Sequence, residues 1–430
     1  MPNARRWVCC ASAIFVASGL ALAQTPLSVD DAVRLAFDKN PQVTGGLAGV
    51  AASKANYQST ATLPPVTLTT THVQGTSTAP TINGTNNDTF VDLGETLDLS
   101  GQRRYQAAGL GATYKATLYL FQETLVTLQQ QIRDAYWSLA AAQAQTEIAT
   151  TSLKEAQRLY DLTVKQEQAG SAPRGDVIRS SIDVANAKQT LLAAQGSEKT
   201  ELLAFNTLLA RPPTTPETLT VDLTSDAKPL PSVTLPDLSQ LQKDSLTNRP
   251  LLKAATEQSK AANYGVRQAE AARFPDLTVD YQRSLRQPID TFLFGLSFPL
   301  LDFGSVSQSI KSAKESRKQT EAQQLQTQQQ VAQQVAQAHA DLQVALESAS
   351  GYKKEILDPS VTLLGMAQLG YQQGATGILP VIDAESTIRN ARVGYINALL
   401  AVYKAQDEVL AAVGNVPPLP AKPGFQLEKQ

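Results

Sequence analysis

Few side chains in this sequence could carry out catalysis or bind a metal ion. It contains two histidines, His72 on a predicted strand and His339 on a predicted helix, and neither has a Cys, Asp or Glu cluster nearby at metal-ligand spacing. The hydrolase motif G-x-S-x-G, the phosphate-binding P-loop and the zinc motif H-E-x-x-H do not occur. The residue types therefore predict no enzymatic activity, no cofactor and no metal site.

Two matching interruptions of long helical patterns stand out instead. The first, YDLTVKQEQAGSAPRGDVIRS (160–180), contains Gly170, Pro173 and Gly175, and the second, LGYQQGATGILPVIDAEST (369–387), has the same punctuation. Glycine and proline are the strongest helix breakers, and a glycine just after a helix supplies the left-handed conformation of its C-terminal cap. Both stretches are therefore predicted to be turns between helices.

The whole mature chain shows the same duplication. Segments starting at Leu27 and Leu235 each predict an amphipathic helix, an x-Pro step (Asn40-Pro41 and Arg249-Pro250), more helix and then alternating residues. The first repeat covers 24–236 and ends in a Pro/Thr-rich linker at 211–236, the second covers 237–414, and residues 415–430 form a tail. The composition of the linker and the tail predicts surface loop or partly disordered chain.

The N-terminus resembles an export signal. Arg5-Arg6 precedes the apolar run WVCCASAIFVASGLALA, which ends in Ala21-Leu22-Ala23, so residues 1–23 are predicted to be a cleaved signal peptide rather than a membrane anchor. Cleavage removes Cys9 and Cys10, which lack the sequence pattern of a lipoprotein site. No later run of about 18 apolar residues predicts a membrane-spanning helix. The net charge of −2 predicts no nucleic-acid partner.

Two helical patterns are longer than a globular core requires. After Gly101 the chain is compatible with helix to about Gln168, a rod of about 100 Å at ~1.5 Å per residue. A heptad seam runs along this helix, with one row of mainly large side chains and one row of mainly small ones. The first row is Leu125, Ile132, Leu139, Thr146, Leu153 and Tyr160, and the second is Leu128, Ala135, Ala142, Ala149, Ala156 and Thr163. The second copy continues the seam through Val335, Leu342, Ala349, Ile356 and Leu363, with a kink expected at Pro359.

Each repeat also contains a short hairpin, at 65–99 and 276–300. Apolar and polar residues alternate in it, with Val91, Leu93, Leu97 and Leu99 on one face in the first copy and Phe292, Phe294, Leu296 and Phe298 in the second. The strands approach the ~9–11 residues that a tilted transmembrane strand needs. Soluble hairpins packed on helices are the alternative. Four strands are too few to close into a barrel, and an open sheet edge is not viable in lipid. Three copies of the chain would supply twelve strands, enough for a barrel with an open lumen.

With these features, the chain resembles the TolC-like outer-membrane efflux protein family. The motifs AVRLAFDKNPQV, LDLSGQRR and LSFPLLDFGS carry the resemblance, which spans about Leu27 to Gly414. It implies a mixed α and β membrane protein, a homotrimer whose shared 12-stranded β-barrel in outer-membrane lipid continues into a long α-helical coiled-coil barrel in the periplasm. Such proteins are exit ducts of tripartite efflux pumps or type I secretion systems, which dock on a periplasmic adaptor (membrane fusion) protein coupled to an inner-membrane pump.

The resemblance makes the two turns the periplasmic tips, where acidic residues ring the narrowest point. It assigns Asp176 and Asp383 to this gate, with Tyr371 in contact with Asp176; first-turn helix acids are the alternative for both aspartates. Three family gate positions differ in this chain, since Gly175, Thr376 and Pro380 replace a threonine, an arginine and an aspartate. The helical tip and adaptor docking residues implied in this way are Gly170, Gly175, Gly374, Thr376, Gly377 and Pro380.

Two classes of function remain to be separated. The first is a passive export duct that opens at its helical tips, and the alternative is a periplasmic structural or adhesive coiled-coil protein without a pore. An exported enzyme, a third class, has no residue constellation behind it. The alternating hairpins favour the duct, because only a duct needs an apolar sheet face in lipid.

Overall fold

A computed structural model describes residues 26–62, 65–77, 84–223, 234–286, 290–297 and 303–416. The predicted signal peptide (1–23), the end of the tail (417–430), Phe298 and residues 224–233 of the linker lie outside these ranges. In the described part of the chain, no helix is long and apolar enough to cross a membrane.

The predicted duplication is present as two helix–hairpin–helix units. The first contains α1 (Val29–Lys39), α2 (Pro41–Ala61), β1 (Thr67–Ser77), β2 (Gly84–Leu97), α3 (Gln102–Gln168) and α4 (Arg174–Leu208). The second contains α5 (Leu238–Asn248), α6 (Pro250–Ala271), β3 (Asp276–Ser284), β4 (Asp290–Ser297), α7 (Ser305–Tyr352), a π-helical turn (Lys353–Leu357), α8 (Asp358–Gln372) and α9 (Leu379–Val413). In each unit a long rod and shorter, stacked helices flank the hairpin.

Each x-Pro step breaks a helix and anchors the break to the end of another helix. Asn40 caps α2 by accepting from the Gln42 N–H at 2.8 Å, and its amide donates to the Leu208 carbonyl at the end of α4 at 3.0 Å. Arg249 takes the corresponding place in the second unit and donates to the Ala411 carbonyl near the end of α9 at 2.6 Å. These bonds satisfy helix-terminal groups that would otherwise lack partners.

The first rod matches the predicted helix closely, with α3 continuous over 67 residues. Its seam is buried at Leu125, Leu128, Ile132 and Leu139, and the small-residue side stays buried to Ala156 and Thr163. Near the tip the large-residue side departs from the prediction, because Leu159 rather than Tyr160 is buried.

The second rod changes register, so the prediction for Ile356 and Leu363 was wrong. Both are exposed, by 42% and 46%, while Leu357 is 1% exposed. The π-helical turn just before Pro359 adds a residue to the turn and rotates the buried face by one position. The predicted kink at Pro359 therefore takes the form of this turn, with the proline in the first turn of α8.

The largest core cluster lies at mid-rod, where α1 and the end of α4 pack on α3. It includes Phe37, Phe205, Tyr136 and Trp137. The first part of the linker also packs here rather than running free, since Leu223 is buried and the Tyr136 hydroxyl donates to the Leu27 carbonyl at 3.0 Å beside the Leu27–Leu219 bridge. This packing fixes the shorter helices at one height along the rod.

The two hairpins form one antiparallel sheet in the order β1-β2-β3-β4. The hairpins are joined through β2 and β3, with Leu93 opposite Tyr281 and Leu97 opposite Leu277. The first hairpin lies within the predicted 65–99, with β1 reaching Ser77 and β2 beginning at Gly84. Among the described residues, β1 and β4 each have one edge with no strand beside it.

Candidate functional site

The two predicted tip turns have the same backbone conformation. Gly170 and Gly374 have φ of +76° and +73°, in the left-handed region that favours glycine. Beyond each glycine an N–H donates back across the helix end, from Ser171 to the Gln166 carbonyl at 2.8 Å and from Ala375 to the Gly370 carbonyl at 2.9 Å. Each turn is therefore a glycine-capped helix end, as the sequence predicted.

The two turns are held together by a small core and one side-chain bond. Ile378 and Val381, at the start of α9, pack against Leu159 of α3, with Tyr371 beside them. The Tyr371 hydroxyl donates to the side-chain oxygen of Gln166. In the described part of the chain the tyrosine hydroxyl thus bonds to Gln166 and Asp176 lies 3.7 Å from Arg179, and the contact between Tyr371 and Asp176 that the resemblance implies stays a prediction.

The two candidate gate acids have different surroundings. Asp176 lies in the first turn of α4, where the helix dipole favours an acid, and its side chain is 15% exposed. Asp383 lies beyond the first turn of α9 and is exposed, so the first-turn alternative does not account for it. No described hydrogen bond or ion pair joins the two residues within one chain.

The remaining predicted tip residues are mostly exposed at the end of the molecule. Gly175 and Gly377 have open space where a Cβ would be added, so packing within the chain does not require glycine at either position. Thr376 packs on Gly370, whose added Cβ would lie 3.0 Å from the threonine hydroxyl. Pro380 lies in the first turn of α9, where its missing N–H costs no helical hydrogen bond.

The sheet presents two chemically different faces. By the strand register, Leu68, Leu93, Tyr281 and Phe292 form a row across one face, and Phe294 and Leu296 continue that face. Phe292 and Phe294 are 67% and 72% exposed, so the single chain leaves this face uncovered. The apolar faces predicted for both hairpins are therefore parts of one surface.

Polar groups interrupt this surface near its two ends. Glu95 lies between Leu93 and Leu97 and lines a cavity with Arg103 and Arg104. At the other end Asp290 accepts from the Tyr281 hydroxyl at 2.7 Å and lies 3.8 Å from Arg283.

The opposite face of the sheet is mainly polar, with Val73, Phe90 and Leu293 as its apolar members. It includes Asp92, Thr278, Asp280 and Ser297. Gly94 lies on this face beside Asp280, whose carboxylate oxygen would be 2.2 Å from an added Cβ. One apolar and one polar face are what a strand pair needs between lipid and a water-filled lumen.

Sequence reasoning missed two charged groups that join the units. Asp407 of α9, 3% exposed, accepts from Arg133 Nε at 2.6 Å and Trp137 Nε1 at 2.8 Å on α3. Near the tips, Glu385 lies inward from the exposed Asp383, and burial together with nearby Asp183 and Glu155 raises its pKa to about 7. Both groups depend on contacts between distant parts of the chain, which periodicity does not reveal.

The histidines show no arrangement suited to a metal. His72 Nδ1 lies 2.9 Å from the Thr89 hydroxyl, and His339 Nε2 lies 3.1 Å from the Pro236 carbonyl. Within the described ranges, no three His, Cys, Asp or Glu side chains are grouped so as to hold a metal ion.

Solved structures share this architecture. The chain superimposes on the outer-membrane channel OprN with a TM-score of 0.76 at 23% identity, covering 90% of this chain and 89% of that one. It superimposes on the open state of the Neisseria gonorrhoeae MtrE outer membrane channel with a TM-score of 0.77 at 20% identity, covering 90% of this chain and 88% of that one.

Sequence comparisons agree with the fold. The chain is 25% identical over 325 residues to the cobalt-zinc-cadmium resistance protein CzcC of Cupriavidus metallidurans, covering 74% of this chain and 75% of that one. It is 23% identical over 354 residues to the pyoverdine export outer membrane protein OpmQ of Pseudomonas aeruginosa, covering 78% and 69%. The family model described as outer membrane efflux protein matches residues 32–211 and 241–415, so the chain belongs to the outer membrane efflux protein family.

Proposed function

We propose that three copies of this chain form a passive channel that carries an exported compound across the outer membrane. Their sheets would join edge to edge in a twelve-stranded barrel, with the apolar face toward lipid and the polar face toward the lumen. The observation that carries the proposal is the open sheet: in the described ranges its apolar face is uncovered and its two outer strands each have one edge without a neighbouring strand. An open edge is not viable in lipid, and closure between copies removes it.

The helical rods would continue the channel into the periplasm. After removal of residues 1–23 the chain would be inserted without a lipid anchor, with the turns at Gly170 and Gly374 farthest from the membrane. The distance follows from α3, whose 67 residues span about 100 Å between the sheet and the tip. A periplasmic adaptor protein would dock at these tips, and an inner-membrane pump would supply the energy.

The tips would close the channel until the adaptor engages them. Three copies of Asp176 and Asp383 around the axis would form an acidic ring that attracts cations. The exposure of Asp383 beyond the first helical turn supports this role, because capping does not explain it. The Tyr371–Gln166 bond and the Ile378–Val381–Leu159 core would hold the two hairpins of each chain together in the closed state.

The names of the relatives do not indicate which compound this chain exports. Their names refer to cobalt, zinc and cadmium resistance, pyoverdine export and toluene efflux, which are chemically unrelated compounds. They support export as the shared activity and an efflux pump as its setting.

Membrane fractionation separates the channel from a poreless coiled-coil protein. We expect the full-length protein in the outer membrane fraction, extracted only by detergent, with a protein mass of three mature chains and single-channel conductance in planar bilayers. Recovery as a monomer from the soluble periplasmic fraction would contradict the proposal and favour the coiled-coil alternative.

A further inference from the structure

A cavity of about 370 Å³ lies between the two helical hairpins, behind the tip core. Its charged lining residues are Glu155 and Arg158 from α3 and Glu385, Arg389 and Arg392 from α9, while α8 contributes the uncharged Leu364 and Gln368. Helix α4 adds the charge of Asp183, which acts on Glu385. The cavity therefore collects acids and arginines at the contact between the hairpin that contains Gly170 and the one that contains Gly374.

The charges around Glu385 do not fully compensate one another. Arg158 is engaged by Glu155 at 2.9 Å, and Arg389 donates to the Ser386 hydroxyl at 3.1 Å. Both arginines favour the charged form of Glu385, but burial and the carboxylates of Asp183 and Glu155 oppose it more strongly and raise its pKa to about 7. Burial also raises the pKa of Asp183, although Arg389 opposes that shift.

Helices α4 and α9, which carry Asp183 and Glu385, pack on α3 far more than on each other. Helix α4 packs along the tip half of α3 but makes few close contacts with α9, so the two hairpins are held together mainly between α3 and α9. A proton between Asp183 and Glu385 removes their repulsion, whereas two charged carboxylates push the two hairpins apart.

We propose that Glu385, with Asp183 opposite and Arg389 beside it, is a proton-controlled latch between the two tip hairpins of each chain. With Glu385 protonated the hairpins stay together. When it loses its proton, repulsion from Asp183 and Glu155 moves α9 away and exposes the carboxylate to water. The proposal rests on the proposed opening of the channel at its tips.

The direction of the pH effect follows from proton binding. The closed tip holds its proton up to a pH of about 7, whereas an exposed glutamate releases it near its ordinary value of 4.5. The closed tip therefore binds more protons, and raising the pH favours opening, by about tenfold per pH unit between these two values for each chain. Above about pH 7 the effect levels off.

Spin labels test the latch without requiring conductance. Ser181→Cys on α4 and Asn390→Cys on α9 place labels at exposed positions on the two hairpins. In the purified full-length protein in detergent, we expect the label distance to increase between pH 5 and pH 7. Glu385→Gln, which cannot ionise, should keep the short distance at every pH. Asp183→Asn should reduce the increase in label distance, because it removes part of the repulsion that drives α9 away once Glu385 is charged.

Asp161→Asn is the matched control, an exposed acid on α3 that accepts from the Gln157 amide and does not line the cavity. It should leave the pH midpoint unchanged. A label distance that does not change with pH, or one that changes equally in Glu385→Gln, would overturn the latch. Bilayer recordings of the same proteins test the channel separately: a pH-dependent distance in a protein that never conducts would support the latch and count against the proposed function.

Discussion

At the scale of single residues, Ala210 and Gly414 occupy corresponding turns at the ends of α4 and α9. After each, an N–H donates back to the helix, from Arg211 to the Asn206 carbonyl and from Asn415 to the Leu410 carbonyl. Gly414 has φ of +83°, but Ala210 adopts +52° with a side chain, which is unfavourable. The same left-handed turn therefore forms with alanine in the first unit and with glycine in the second.

We expect Ala210→Gly to stabilise the protein by about 0.5–1 kcal/mol, because glycine removes the left-handed strain but loses more chain entropy on folding. The matched change Gly414→Ala should destabilise it by about 2 kcal/mol or more, since the added Cβ would lie 2.7 Å from the Arg249 Cα. Chemical denaturation in detergent, followed by circular dichroism, measures both. A shift of the same sign in the two variants would show that the two turns are not equivalent.

The charges of Asp176 and Asp383, the proposed gate acids, can be tested by substitution. We expect Asp176→Asn with Asp383→Asn to weaken the block of the channel by multivalent cations by about tenfold or more, because the proposed ring loses its charge. Planar bilayer recordings with cations added on the periplasmic side measure the blocking concentration. Asp161→Asn is the control on the outside of α3, and an unchanged block in the double variant would remove both aspartates from the gate.

Gly377 offers a test of docking at the tip. An added Cβ at this position meets no atom within 4 Å, so a side chain there starts in open space. We expect Gly377→Trp to weaken binding of the periplasmic adaptor at least about tenfold by preventing close approach, with fold and assembly intact. Binding is measured with purified partner proteins. Gly196→Trp, at an equally open position on α4 away from the tip, should bind normally, and equal binding by both variants would place the adaptor elsewhere.

At the scale of elements, the buried ion pair between α3 and α9 joins the two repeats. Arg133→Met would leave Asp407 buried with only the Trp137 hydrogen bond, and we expect a loss of about 3–5 kcal/mol in the free energy of unfolding. The same change at Arg158, which forms an exposed pair within one helix, should cost less than about 1 kcal/mol. Equal losses in thermal or chemical denaturation would contradict this role for Asp407.

The sequence predicted the elements better than their contacts. The seam and the glycine after Gln168 were enough to predict α3, because periodicity and capping are local properties. The exposure of Ile356 was not predictable, because one extra residue in the π-helical turn moves the buried face by one position, from Ile356 to Leu357. Tyr371 was matched to Asp176 by resemblance, and in the described part of the chain its hydroxyl bonds to Gln166.

At the scale of the whole molecule, the single chain leaves too much apolar surface uncovered to be complete. Besides the sheet face, exposed apolar residues follow the outside of the tip helices, with Ile178 and Ile182 on α4 and Leu363 and Met366 on α8. Large exposed apolar patches mark interaction surfaces. In the proposed trimer we expect the helical stripes to be covered by neighbouring copies.

Closure of the sheet between copies is the central claim, and cross-linking of the two strand edges tests it most directly. Thr69→Cys on β1 would be combined in turn with Thr291→Cys, Leu293→Cys or Ser297→Cys on β4, in the mature chain expected to lack other thiols. Within one chain β1 and β4 are at opposite edges of the sheet. We predict that oxidation of at least one pair in outer membranes gives covalently linked chains up to a trimer and no further. Only monomers for every pair, or a ladder that continues beyond three chains, would contradict the account.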